Sequence, residues 1–146
     1  MDSINAHSAG DIRIEKQVFV YDNDGKLLPK ARKQFNVGER IHVRLTIRSE
    51  RDLDFVAMTD DRAAGFEPVQ QTAGYDWQDG VVIYKENRDS STQFFISRLP
   101  KGSFVLSYDV YANNAGSFAS GIASLQCQYS PKITAHSEGT VITIRQ

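Results

Sequence analysis

Alternation of apolar and polar residues is the feature that most constrains this chain, because it recurs in short segments separated by turn residues. The clearest segment runs from Glu39 to Ser49. Its apolar positions are Ile41, Val43, Leu45 and Ile47. Side chains two positions apart lie on one face of a β-strand, so this segment has one face for a core and one for water. A near period of two also occurs in residues 12–21 and 103–111, which predicts strands rather than amphipathic helices.

Further strand patterns occur at residues 53–58, 81–84, 93–99, 122–129 and 140–144. No long helical period separates them, which argues against βαβ units. We therefore predict an all-β fold, an antiparallel β-sandwich of about seven to nine strands. Residues 62–80 show no sustained period and contain three glycines and a proline. They are predicted to form a long loop with room for one short helix.

Length and charge limit the classes of function. At 146 residues, we expect a single β-sandwich domain at residues 12–146 after a flexible lead or linker at residues 1–11. A net charge of −1 gives no electrostatic reason to expect a nucleic acid or an anionic membrane as partner. No apolar run approaches the roughly 20 residues that span a bilayer, and Met1 to Asp11 lack the layout of a signal peptide. We expect this domain to contact neither nucleic acid nor membrane.

Polar motifs that resemble metal sites have simpler interpretations. Asp22–Gly25 begins like a calcium loop, but Lys26 falls where a third oxygen ligand belongs. The segment is predicted to be a hairpin turn, because Asp-Gly accommodates positive φ values. His42 lies on the polar face of its strand and is predicted to be a solvated imidazole. Neither His7 nor His136 has a companion at metal-binding spacing, so no metal and no other cofactor is expected.

The chain carries no catalytic signature. It contains no G-x-S-x-G elbow, H-E-x-x-H pair or G-x-x-x-x-G-K-[ST] phosphate loop. Cys127 is the only cysteine and has no neighbouring histidine to lower its pKa. Carboxylates at Asp60 and Asp61 and at Asp52 and Asp54 are predicted to be solvated loop charges, because a general acid or base needs a cleft that perturbs its pKa. We therefore predict that the domain is not an enzyme.

Two aromatic residues within residues 62–80 could bind a carbohydrate. Tyr75 and Trp77 are two positions apart, so in an extended segment they face one side and could form a platform for a sugar ring. The polar residues between and after them would supply hydrogen-bond partners. The favoured alternative is a hydrophobic flap that closes one end of the core, because large aromatic side chains dominate core burial.

Short motifs occur in one order across about residues 12–144. They are Val37-Gly38-Glu39-Arg40-Ile41, Asp60-Asp61, Ala64-Gly65-Phe66-Glu67-Pro68, Arg88-Asp89, Phe94-Phe95, Leu99-Pro100-Lys101-Gly102, Tyr108, Gly116-Ser117-Phe118 and Tyr129-Ser130-Pro131. The ordered set resembles the C-terminal macroglobulin domain of bacterial α2-macroglobulin family proteins, which corresponds to the receptor-binding domain of the animal relatives. The resemblance implies a macroglobulin-like β-sandwich.

The resemblance also implies a function. It implies a non-catalytic C-terminal domain of an α2-macroglobulin-like endopeptidase inhibitor, a protease trap whose parent chain carries a thioester domain. Such a domain docks on its neighbours and helps to shield the thioester domain until a target protease cuts the bait region. The implied location is the cell envelope, periplasmic or outer-membrane-anchored, or the extracellular space.

The resemblance places the interdomain contact at the end of the strand that contains Cys127. Gln128, Tyr129 and Pro131 are the implied contact residues, and Phe118 is a further candidate. Gln128 replaces an apolar Met that is common in the family, which is expected to weaken the exclusion of water at that point. Two other interpretations stay open, a carbohydrate-binding β-sandwich module that uses Tyr75 and Trp77, and a structural spacer domain.

Overall fold

The structure is a computed structural model that describes residues 7–9, 12–22, 24–29, 34–69, 74–78, 81–119, 121–127, 130–137 and 141–146. Within these ranges the chain forms fifteen β-strands and no helix. In chain order they are β1 (His7–Ala9), β2 (Ile12–Tyr21), β3 (Leu27–Pro29), β4 (Gln34–Asn36), β5 (Arg40–Ser49), β6 (Leu53–Asp61), β7 (Phe66–Pro68), β8 (Gly74–Gln78), β9 (Val81–Asn87), β10 (Ser91–Leu99), β11 (Gly102–Ala112), β12 (Gly116–Ala119), β13 (Ala123–Cys127), β14 (Ser130–His136) and β15 (Val141–Arg145).

These strands form three sheets. The seven-stranded sheet has the order β1-β14-β13-β6-β10-β9-β8, the five-stranded sheet β3-β2-β5-β11-β7, and the three-stranded sheet β12-β15-β4. Neighbouring strands are antiparallel except β15 and β4, which run parallel. The all-β, antiparallel sandwich that the alternation predicts is confirmed.

The core lies between the two larger sheets. In the five-stranded sheet, β5 and β11 pair along their whole length, and the residues facing inward are buried on both strands. They are Ile41, Val43, Leu45 and Ile47 opposite Val110, Tyr108, Leu106 and Phe104. The seven-stranded sheet contributes Val56, Met58, Phe94, Ile96 and Leu125 to the same cluster. Burial of each large apolar side chain stabilises the fold by about 1.5–3 kcal/mol.

The structure differs from the predicted fold in two details. The described part of residues 62–80 contains no helix, and instead forms β7, which pairs with β11, and β8, which pairs with β9. The described strands also outnumber the seven to nine predicted. Both differences have one cause, because strands of three to five residues are too short to show a period of two and are recognised only by their pairing partners.

The chain ahead of residue 12 contributes one edge strand. His7–Ala9, within the segment predicted as a lead or linker, pairs with β14 from His136 to Thr134. The division into a lead and a single domain stays a prediction. The described part of the chain has no helix with the length and hydropathy that a membrane crossing needs.

The turn predicted after β2 is confirmed. The Oδ1 atom of Asp22 accepts hydrogen bonds from the backbone N–H groups of Asp24 at 2.9 Å and Lys26 at 2.7 Å. Gly25 has a φ of 80°, which an Asp-Gly turn requires. The hairpin brings β3 alongside β2.

Candidate functional site

The segment predicted as an interdomain contact lies between two paired strands. β13 ends at Cys127 and β14 begins at Ser130, and these two residues are Cα partners. Gln128 and Tyr129 lie outside the described residues, and of Pro131 only the backbone within β14 is described. The contact role of these three residues stays a prediction.

An exposed aromatic residue that the sequence analysis missed lies in the neighbouring strand β6. Phe55 is 48% exposed and has a φ of 55°. The next residue, Val56, is the first residue of β6 that pairs with β13, and its partner is Cys127. No sequence signal marks Phe55, because it lies inside the apolar run from Leu53 to Met58, which predicts only a strand.

Phe118, the fourth predicted contact residue, is half-buried. It pairs with Ile142 in the three-stranded sheet and packs against the core cluster. A Cβ added to Gly65 would lie 2.6 Å from Cε2 of Phe118 and 2.5 Å from Cδ1 of Ile144. The Phe118 ring therefore covers Gly65 of the Ala-Gly-Phe-Glu-Pro motif, which gives it a packing role within the domain. A contact with a neighbouring domain stays a prediction for this residue.

Replacement of Gly65 by alanine is expected to destabilise the domain by about 1–3 kcal/mol, because the new methyl group overlaps two packed side chains. Urea unfolding followed by circular dichroism measures the change in the free energy of unfolding. Gly74→Ala is the matched control, since nothing lies within 4 Å of a Cβ there. Equal stabilities of the two variants would contradict the packing of Phe118 on Gly65.

Tyr75, half of the predicted sugar platform, is an outer-face residue. It lies in the edge strand β8 and is 79% exposed. Its ring centroid is 5.0 Å from that of Tyr84, which in turn is 6.3 Å from that of Phe95. The hydrophobic flap favoured from the sequence is therefore wrong for Tyr75, because this ring joins a row of aromatics on the outside of the sheet. Trp77 pairs with Val82 through its backbone, and its side chain lies outside the description.

Asp60 is not the solvated loop charge that the sequence predicts. It lies in β6 with 0% exposure, whereas Asp61, Asp52 and Asp54 are exposed as predicted. The error has a physical cause, since the last core-facing position of β6 holds a carboxylate whose partners come from the opposite sheet.

A buried ion pair joins the two large sheets at Asp60. Lys16, on the core-facing side of β2, places its Nζ 2.7 Å from Oδ1 of Asp60. The same Nζ donates a hydrogen bond to the backbone oxygen of Gly121 at 3.2 Å. The hydroxyl of Tyr108 in β11 donates to Oδ2 of Asp60. Burial, together with the charge of Asp60 and this hydrogen bond, raises the pKa of Tyr108 well above its usual value, so the phenol stays a neutral donor.

A second group of polar side chains lies close to this ion pair. Nη1 of Arg62 donates to Oγ1 of Thr92 at 2.8 Å, and the Thr92 hydroxyl donates to Oδ1 of Asn87 at 2.9 Å. Burial lowers the pKa of Arg62. Among the described residues, every buried side-chain nitrogen and oxygen has a hydrogen-bond partner. These hydrogen bonds connect β10 to the ends of β6 and β9 and give the group a structural role within the domain.

The outer face of the five-stranded sheet carries a different polar cluster, centred on Asp109. This carboxylate accepts hydrogen bonds from the Tyr21 hydroxyl at 2.7 Å, from Nδ1 of His42 at 2.8 Å and from Nε of Arg40 at 2.8 Å. His42 is thus not the solvated imidazole predicted from its polar strand face. Its side chain is only 15% exposed, because neighbouring strands place Asp109 and an aromatic ring beside it.

The environment of Asp109 predicts acid sensitivity. Burial alone would raise its pKa, but hydrogen bonds from Tyr21, His42 and Arg40 and the charge of Arg40 lower it. A carboxylate whose pKa is lower in the folded state stabilises the protein above its unfolded pKa, near 4, and this stability is lost as pH falls through the folded pKa. The unaltered domain is therefore expected to lose more stability than Asp109→Asn between pH 5 and about pH 2, measured by urea unfolding.

Asp54→Asn makes the same chemical change on an exposed strand residue and is the control for this experiment. Identical pH profiles of Asp109→Asn and the unaltered domain would show that the cluster does not contribute through the carboxylate.

Comparison with known protein families identifies the family of this β-sandwich domain. The model of the bacterial alpha-2-macroglobulin MG10 domain matches residues 12–132. The chain belongs to this family.

Solved structures share the fold of this macroglobulin domain. Salmonella alpha-2-macroglobulin reacted with methylamine is similar with a TM-score of 0.75 and 18% identity, over 95% of this chain and 9% of that one. Native alpha-2-macroglobulin from Escherichia coli, in a structure spanning domain MG7 to the C-terminus, is similar with a TM-score of 0.76 and 16% identity, over 95% of this chain and 24% of that one. At these identities the likeness shows the fold alone.

One curated protein is also similar in sequence. Circularly permutated Ras protein 2 of Dictyostelium discoideum is 24% identical over 98 residues, which cover 67% of this chain and 2% of that protein. The macroglobulin domain therefore spans only a small part of each of these relatives.

Cys127 of the macroglobulin domain is a buried thiol at the end of β13. Burial raises its pKa, against the opposing effect of the Arg51 charge, so it stays protonated at neutral pH and is a poor nucleophile. Among the described residues, no group of three or more His, Cys, Asp or Glu is placed to hold a metal ion.

Proposed function

We propose that this chain is a non-catalytic C-terminal domain of an α2-macroglobulin-like endopeptidase inhibitor, which docks on neighbouring domains and helps to shield the thioester domain of its parent. The observation that carries the proposal is the match of the MG10 domain model over residues 12–132. The matched region makes up only 9% and 24% of two of the similar chains, so a domain of this kind has sibling domains in a longer chain.

The end of the β13–β14 hairpin is the proposed contact. The pairing of β13 with β14 shifts register after Gln126 and ends at Cys127 and Ser130, and β13 also pairs with β6. The residues on either side of the proposed contact are therefore strand residues, and strands position side chains more precisely than loops do.

Docking depends on the balance between a closed and an open arrangement of the domains. Interdomain contacts within a chain resemble transient interfaces, so relative domain motion is expected unless the interface is large and apolar. Contacts at the hairpin hold the closed arrangement, and cleavage of the bait region by a target protease removes the constraint that favours it. We place the parent in the cell envelope or outside the cell, where it meets target proteases.

Binding to the thioester domain of the parent tests this function. Isothermal titration calorimetry is expected to show binding by the unaltered domain and at least about tenfold weaker binding by Tyr129→Ala, because truncated interface aromatics commonly cost 1 kcal/mol or more. Tyr75→Ala removes another exposed aromatic, on β8, and is expected to bind normally. Failure of the unaltered domain to bind would contradict the docking role and favour a structural spacer.

The row of aromatic rings on β8, β9 and β10 favours a second candidate function, carbohydrate binding. Tyr75 is highly exposed and stacks edge-on against Tyr84, which provides a rigid apolar surface with a hydroxyl at its rim. A glycan array probed with the unaltered domain, Tyr75→Ala and Trp77→Ala tests it. Binding that both substitutions abolish would support a glycan site, and an array without any hit would exclude one for the glycans present.

A further inference from the structure

The outer face of the five-stranded sheet carries more arginine than its acidic residues balance. Alternation turns Arg13 of β2 and Arg40, Arg44 and Arg48 of β5 away from the core, because the intervening residues of these strands are buried. Asp109 forms an ion pair with Arg40 at 2.7 Å. The ion pairs among the described residues include none of the other three arginines. These three are called the arginine patch.

Two arginines of the patch lie directly opposite each other. Arg13 and Arg48 are Cα partners in the antiparallel pairing of β2 and β5, and both are exposed. Like charges at such positions destabilise a sheet, because their Cβ atoms are only about 5 Å apart. On the other side of Arg48 the partner is neutral, Ser103 of β11. Glu15, on the same face, accepts a hydrogen bond from Gln17 instead. An anion from outside the domain would relieve this repulsion.

The third arginine of the patch is held in place by an aromatic ring. The guanidinium carbon of Arg44 lies 4.5 Å from the centroid of the Phe19 ring. Such a contact immobilises the group, while its planar fork of N–H donors can still bind both oxygens of a carboxylate. A cation that is already fixed loses less conformational freedom on binding than a freely rotating one. Arg44 is therefore preorganised for an anionic group.

The composition of this face favours a protein as the partner. The outward positions of β2, β5 and β11 combine the arginines with Phe19, Tyr21 and Tyr111 and include no lysine. Enrichment in arginine and aromatic residues, with depletion of lysine, distinguishes protein interfaces from the rest of a protein surface. The net charge of −1 gives the domain no overall attraction to a nucleic acid or an anionic membrane.

The weakness of exposed ion pairs points to a partner in the same chain. Three exposed arginines give little affinity for a free protein, because ion pairs in water are individually weak. A domain joined by a linker needs little affinity, since the linker keeps it at an effective concentration of about millimolar. Structures that share this fold come from much longer chains, of which the matched region is 9% and 24%.

We propose that the arginine patch docks on an acidic surface of a sibling domain in the parent chain, whose aspartate or glutamate carboxylates bind the guanidinium groups of Arg13, Arg44 and Arg48. This inference rests on the proposed function, because it takes the partner from the same parent. It adds the chemistry of a second contact. The β13–β14 hairpin belongs to the seven-stranded sheet, whereas the arginine patch lies on the five-stranded sheet.

Chemical modification of arginine in the intact parent tests the contact. Phenylglyoxal reacts with accessible guanidinium groups, and mass spectrometry of the peptides gives the rate at each position. Arg13 and Arg48 are expected to react at least about tenfold more slowly in the intact parent than in the isolated domain, because an open state populated at about 10% or less exposes them only for that fraction of time. Arg88, whose side chain is 55% exposed between β9 and β10, is the control and should react equally in both.

Arg48→Glu separates docking from folding. The substitution replaces the like-charge pair with Arg13 by an opposite-charge pair, so the unfolding temperature of the isolated domain is expected to stay the same or rise. In the parent, the new carboxylate repels the acidic partner, and the modification rate of Arg44 is expected to rise to the rate in the isolated domain. Arg88→Glu is the matched charge reversal elsewhere and should leave Arg44 protected.

The outcomes distinguish this inference from the function on which it rests. Equal rates at Arg13 and Arg48 in the parent and in the isolated domain would refute the patch, while calorimetry with Tyr129→Ala still decides the hairpin contact. Protection in the parent without binding of the thioester domain would remove the shielding role and leave the patch in place. Protection that survives Arg48→Glu would show that the covering surface is not acidic and would overturn the inference. Protection of the isolated domain by vesicles of anionic phospholipid, with none in the parent, would assign the patch to a lipid surface instead.

Discussion

Gly121→Ala is expected to destabilise the domain by about 3 kcal/mol or more, a large part of the roughly 5–15 kcal/mol that is typical of a folded domain. A Cβ at this position would lie 1.1 Å from the backbone oxygen of Asp61. A backbone oxygen cannot rotate out of the way as a side chain can. The end of β6 and the residues that lead into β13 would therefore have to move apart. The hydrogen bond from the backbone N–H of Asp61 to the oxygen of Ile122, 3.2 Å long, would be lost with the separation.

The measurement is the free energy of unfolding in urea, followed by circular dichroism. Gly74→Ala is the control, since that glycine has open space around it and no left-handed φ. A Gly121→Ala variant with the unfolding midpoint of the control would disprove the close approach of the two segments.

Lys16→Met is expected to lower the free energy of unfolding by about 3–5 kcal/mol. The substitution keeps most of the volume but leaves Asp60, which is fully buried, without its cation. Removal of one partner of a buried pair costs far more than the pair itself contributes, because the remaining charge has lost both water and its counter-ion.

Two further variants check this interpretation. Arg98→Met breaks the exposed ion pair with Asp52 and is expected to cost less than about 1 kcal/mol. The double variant Lys16→Met with Asp60→Asn is expected to regain part of the lost stability, because a neutral amide still accepts the hydrogen bond from Tyr108. Similar losses for Lys16→Met and Arg98→Met would show that burial of the Lys16–Asp60 pair has no energetic consequence.

The candidate site was predictable only in part. The ordered motifs point to the family and to the hairpin that carries Tyr129, and the family membership is confirmed over residues 12–132. Phe55 was not predictable, because an exposed and a buried phenylalanine look alike within an apolar run. Its exposure comes from a break in the alternation of buried and exposed residues that β6 shares with β10, more than forty residues away.

The polar residues were the least predictable class. Lys16 lies at a core-facing position between Ile14 and Val18, which is a signal that could have suggested a buried partner. The identity of that partner could not follow from the sequence, since Asp60 is 44 residues away in the other sheet. His42 is a second example. Its polar strand face was predicted correctly, but its hydrogen bond to Asp109 depends on the neighbouring strand β11.

By itself, the sequence determined the all-β class, the core-facing residues of β5 and β11 and the turn at Asp22–Gly25, because a period of two and turn chemistry are local properties of the chain. Only the tertiary structure decided which charges are buried, which aromatic rings meet solvent and how the short strands pair. Those outcomes depend on contacts between residues distant in sequence, and such contacts form only when the two sheets pack face to face.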